Sequence, residues 1–147
     1  MADEIALSAL LLGAASTLVE AIHEGTARRG FADLRPTHGF VFARLAPDGA
    51  TIGQIAEHLG VTKQAASQLV EELVGKGYVE RHPHPGDARA KIVALTERGW
   101  ACTAAADEAA TEAVRSWIAV LGQERVSALT NDLRRVARPG RLRPAAW

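Results

Sequence analysis

Residues 51–95, TIGQIAEHLGVTKQAASQLVEELVGKGYVERHPHPGDARAKIVAL, hold two short apolar repeats, a turn between them, and two β-rich runs around a turn-forming segment. Thr51 precedes a repeat at Ile52, Ile55, Ala56 and Leu59, with Gln54 three residues on. A threonine and a glutamine at that spacing satisfy each other's end-of-helix amides as a capping box, so a helix starts near Ile52. Gly60 follows as a left-handed stop, and Thr62 caps a second repeat at Ala66, Leu69, Val70 and Leu73. So short a connection forces a steep crossing, for which the small Ala56 and Ala66 leave room.

The outer face of the second helix carries Gln64, Ser67, Gln68, Glu71 and Gly75, with Lys63 on the flank and Thr62 at the tip. Its first two turns offer hydroxyl, amide and ammonium groups and no carboxylate. These suit a DNA groove, where glutamine pairs with adenine and hydroxyls bond bases or phosphates. The same pattern also describes an ordinary solvated face. Glu71 and Glu72 repel phosphate, so docking has to use the N-terminal end while the helix leans outward below it.

Tyr78 to Arg81 and Lys91 to Leu95 read as strands, with Val79, Ile92 and Val93 as β-branched residues. HPHPGDARA between them reads as an exposed loop. Arg89 falls near the loop's end, and Asp87 two residues earlier is placed to orient its guanidinium through a charge-assisted pair. An arginine on a protruding loop suits a narrow, electronegative minor groove. A hairpin with a surface ion pair is the plainer alternative.

Three segments carry a family resemblance: RPTHGFVFARLA as a helix before the pair, TIGQIAEHLGVTKQAASQLVEELVGKGYVER as the pair and first wing strand, and GDARAKIVALTERG as the wing and next helix start. The chain resembles a MarR-type winged helix-turn-helix transcriptional regulator over nearly its whole length, most specifically in the D-x-R of the wing followed by LTERG. The resemblance implies an obligate homodimer, mainly α with a small β-wing, in which Arg89 is the minor-groove residue and Asp87 its support. Thr62, Lys63, Gln64, Ser67 and Gln68 become the recognition-helix contacts. It further implies a repressor relieved by a small molecule or oxidation. The effector pocket would form where the first, second and long C-terminal helices meet the winged region, lined by His38 and Phe42. Both residues also read as core packing.

The 147 residues suffice for one domain with its own core, and no Pro/Gly/Ser-rich linker divides them. Residues 36–96 form the winged helix-turn-helix region, 1–30 and 97–138 the dimerisation helices, and 139–147 a basic tail. From Ile5 to Ile22 apolar residues occur on nearly every side of the first helix, so two surfaces must cover it, the second being a partner subunit. The run IALSALLLGAAS follows Asp3 and Glu4 where a signal peptide would be basic, and it is too short to span a bilayer. Trp100 to Leu121 is an alanine-rich helix broken by Gly122 before a last helix with Val126, Leu129, Leu133 and Val136 in register. A dimer sets two recognition helices about one DNA turn apart, ~34 Å, to read a palindrome.

Charge is balanced, with 17 basic and 17 acidic residues, whereas DNA-binding domains commonly show a basic excess. Arg28, Arg29 and Arg35 cluster near the end of the first helix, while Asp107, Glu108 and Glu112 gather in the long one. Modest non-specific affinity and a shallow salt slope are expected. Arg134, Arg135, Arg138, Arg141 and Arg143 complement a helix C-terminus.

The five histidines form no HExxH pair, His82-x-His84 reads as a solvated turn, and nucleophile motifs and phosphate-binding glycine loops are absent. No cofactor, metal or catalysis is expected. The single Cys102 suits a reducing cytoplasm and reads as a packing residue, since the redox-sensing members of the family place their cysteine in the first helix. Two function classes remain: a DNA-binding regulator, and a winged-helix module that binds another protein and has no DNA contact.

Overall fold

The computed structural model describes residues 1–138, in the order α1 (Ala2–Arg28), α2 (Pro36–Leu45), α3 (Ile52–Leu59), α4 (Lys63–Gly75), β1 (Val79–His84), β2 (Asp87–Leu95), α5 (Glu97–Leu121) and α6 (Gln123–Val136). The expected basic tail at 139–147, with Arg141 and Arg143, lies outside the described residues. The chain forms two compact units: Thr37–Ala104, and Met1–Pro36 together with the helical stretch from Ala105 onward.

In the first of these units the capping signals act as the sequence requires. Thr51 Oγ1 accepts from the Gln54 amide at 3.2 Å, and Gln54 Oε1 accepts from the Thr51 amide at 3.0 Å. Gly60 closes α3 at φ 70°, a left-handed conformation that glycine adopts without a Cβ penalty. Thr62 caps α4 by accepting from the Ala65 amide at 3.1 Å. The apolar stripes converge as read: Ile55, Ala56, Leu59, Ala66, Leu69, Val70 and Leu73 are all buried, together with Val41, Phe42 and Leu45 of α2. Burying such side chains stabilises the unit by about 1.5–3 kcal/mol each for the larger ones.

β1 and β2 pair antiparallel from Val79↔Leu95 to Pro83↔Lys91, and a register shift then places His84 opposite Asp87. Ala50 bridges Val93 on the far side of β2 through reciprocal amide bonds of 3.0 and 2.8 Å. The strands thus extend well into HPHPGDARA, which the sequence reads as a loop. Pro83 is admissible because β1 has a free edge, where a missing amide donor costs no ladder bond. α5 begins at Glu97 rather than at Trp100, because the Thr96 hydroxyl accepts from the Gly99 amide at 3.2 Å and caps it.

In the other unit, α1 approaches α5 closely at Gly25, where a Cβ would stand 2.7 Å from that of Ala109. Arg29 donates to Glu108 at 3.2 Å and to Glu112 at 2.9 Å. Those contacts, from Glu112 first, hold the Arg29 guanidinium above its ordinary pKa, and Arg29 in turn holds the Glu112 carboxyl below the usual carboxylate value. The first helix corrects one expectation. Helix continues through Arg28, and by length and composition α1 is long and apolar enough to cross a membrane. The twelve-residue run considered alone understated it.

Candidate nucleic-acid interface

α4 places Lys63, Gln64 and Gln68 on its exposed face, with Ser67 half-buried beside them and Thr62 exposed at the tip. Gln64 and Gln68, four residues apart, stand one above the other on that face. The Thr62 hydroxyl oxygen is engaged in the cap, while its O–H retains the capacity to donate. At this end the unpaired amides of the first helical turn also favour an anion.

Both carboxylates in the second half of α4 have fixed partners on other elements. Glu71 accepts from Arg81 of β1 at 2.5 Å. Glu72 Oε2 lies 2.9 Å from His38 Nε2 of α2, and the imidazole is fully buried. Sequence reasoning missed both contacts. A signal existed for the first: strand alternation puts Arg81 on the same inward face as the buried Val79, where a guanidinium needs a partner. For the second no local signal existed, since 34 positions separate the two residues.

On the wing, the shift from Pro83↔Lys91 to His84↔Asp87 leaves residues 88–90 without a partner across the ladder, and Arg89 is the middle one. Its side chain is exposed. Asp87 differs from expectation: its carboxylate accepts from the Arg89 backbone amide at 2.9 Å, so it shapes the bulge instead of orienting the guanidinium. An Asx-type turn closes within two residues, a geometry the aspartate side chain reaches more readily than the far end of the arginine. The tip is closed by the Gly86 amide donating to His84 Nδ1 at 2.9 Å, and His82 Nε2 meets Glu80 at 2.9 Å.

His38 and Phe42 take the place of core residues. The Phe42 ring packs against Tyr78 with centroids 5.6 Å apart. Two open grooves, of about 560 and 410 Å³, both run along α5, the larger lined by Arg29, Asp107, Glu108, Thr111, Glu112 and Arg115. Neither includes His38 or Phe42. A helix-facing aromatic and histidine at this spacing pack the interior of α2 against α4 and the strands. Among the described residues no group of three or more His, Cys, Asp or Glu side chains is arranged to hold a metal ion. Cys102 is buried.

Two crossed helices, the second capped and polar on its outer face, followed by a two-stranded ribbon, define a winged helix-turn-helix protein. Residues 32–90 match the sequence model of the MarR family. An uncharacterized HTH-type transcriptional regulator from Mycobacterium leprae is 32% identical over 95 residues, covering 64% of this chain and 61% of that relative. The chain thus matches about three fifths of the length of that relative. Wild-type MarR from E. coli, in its apo form, superposes with a TM-score of 0.74 at 23% identity, covering 90% of this chain and 96% of that one. A mutant E. coli MarR complexed with operator DNA gives 0.73 at 22% identity, with 92% and 96% covered. These relatives are regulators, not enzymes.

Proposed function

We propose that the protein is a homodimeric, sequence-specific DNA-binding transcriptional regulator of the cytoplasm, a repressor that binds a palindromic operator and is released by a small-molecule effector. The observation that carries this reading is the joint display, within one compact unit, of the polar N-terminal face of α4 and the bulged, exposed Arg89. In this reading α4 enters the major groove, where Gln64 and Gln68 read base edges and Thr62, Lys63 and Ser67 contact bases or phosphates. Arg89 enters the adjoining minor groove on a bulge shaped by Asp87. Residues 36–96 carry the DNA-binding role, and 1–30 with 97–138 the dimer. The mutant E. coli MarR held on operator DNA supports the assignment by its likeness in fold.

Effector release rests on the likeness of residues 32–90 to the MarR family. A ligand acts only if it prefers a spacing of the two winged units that mismatches the operator's half-sites. The burial of His38 and Phe42 gives no support to their role as lining residues.

The balanced charge of the chain favours a second reading, a protein-binding module without DNA contact. Selection of genomic fragments with the purified protein, followed by sequencing, separates the two. The DNA reading predicts enrichment of fragments sharing a palindrome, and Arg89→Ala weakening binding to them by about 1 to 3 kcal/mol with the dimer intact. No enrichment, or no effect of Arg89→Ala on an enriched fragment, contradicts it.

A further inference from the structure

We infer that Glu71 and Glu72 are positioning residues: tethered to Arg81 of β1 and His38 of α2, they fix the rotation of α4 about its own axis and thereby set base selectivity without touching DNA. The inference rests on the DNA-binding reading above. Adjacent helical residues project about 100° apart, so these two carboxylates hold α4 from two directions. One anchor is a fully buried imidazole, and the other a guanidinium on the strand that leads into the wing.

α4 also packs onto its unit through the buried Ala66, Leu69, Val70 and Leu73. Apolar packing is non-directional and tolerates small rotations; hydrogen bonds to a carboxylate do not. A side-chain tip ~6 Å from a helix axis moves by about 1 Å for each ~10° of rotation. That displacement spoils a hydrogen bond to a base edge, whose useful range spans only about half an ångström. Attraction to phosphates, which acts over about 8 Å at physiological salt, hardly changes. The tethers therefore control discrimination between sequences more than general affinity. They also explain why two acidic residues are tolerated on a helix that faces a polyanion, since both are turned to partners within the protein.

The test compares binding of the full-length protein to a selected duplex and to a scrambled duplex of equal length, with folding checked by circular dichroism. Glu71→Ala is expected to reduce the preference for the selected duplex by at least about tenfold, while binding to the scrambled duplex stays equal or tightens. Exchanging the pair, Glu71→Arg with Arg81→Glu, is expected to recover most of the preference. Glu72→Ala is expected to reduce the preference as well, whereas Glu72→Gln, which retains a hydrogen-bonding oxygen for His38, is expected to keep it. If Glu71→Ala tightens binding to both duplexes equally, the carboxylate merely repels phosphate and the inference is overturned. An unchanged preference in both alanine variants overturns it too. A wild-type protein with no preference for any duplex refutes the DNA-binding reading itself, a result distinct from the loss of the positioning role alone.

Discussion

At the scale of single residues, Asp87 and Arg89 show what spacing reveals and what it hides. The D-x-R pattern marks a turn with an arginine on it, and both features are present. Which atom of Arg89 the carboxylate meets depends on whether Asp87 folds onto the backbone or reaches along a flexible side chain, and the spacing is the same for both. The observed bond to the Arg89 amide makes a definite prediction. Asp87→Asn retains an oxygen acceptor and should bind a selected duplex nearly as well as the wild type, whereas Asp87→Ala should lose affinity by about 1 kcal/mol as the bulge loosens. Equal losses in the two variants, measured by fluorescence anisotropy, would show that the negative charge itself holds the guanidinium. The His38 contact was illegible for a different reason: its partner Glu72 on α4 is brought near only by the tertiary fold.

Among the elements, local chemistry decided most boundaries. The reciprocal bonds of Thr51 and Gln54, the left-handed Gly60 and the Thr62 cap lie where the sequence puts them, because each is satisfied within four residues. Thr51→Ala leaves an end amide of α3 unsatisfied and should lower stability by about 1 kcal/mol in thermal or urea unfolding, with Thr51→Ser close to wild type. The strands were the harder case. His82-Pro83-His84 carries turn-forming composition, yet pairs with β2 because the pairing partner and the free edge of β1 are properties of the ribbon, not of the segment. Likewise α1 was legible as a helix ending near Arg28, while its capacity to cross a membrane was missed because only the twelve-residue apolar run was weighed.

For the whole molecule, the apolar side chains exposed on nearly every side of α1 are the dominant unexplained surface among the described residues. Ile5 is 66% exposed, Leu7 58%, Leu10 69% and Leu12 58%, and on α6 Val136 is 77% exposed. Contiguous apolar surface of this kind normally marks an interaction site. Under the proposed function its occupant would be a second copy of the chain, which pairs two recognition helices. Leu10→Glu should shift the protein from dimer to monomer in sedimentation, and weaken operator binding while sparing the fold of the winged unit. Retention of the dimer together with binding to neutral lipid vesicles would assign α1 to a membrane instead. The most direct test of the central claim is a hydroxyl-radical footprint on a fragment enriched from genomic DNA. A homodimeric winged helix-turn-helix regulator predicts two protected half-sites related by two-fold symmetry, centred about 34 Å apart; diffuse protection that does not depend on sequence would contradict it.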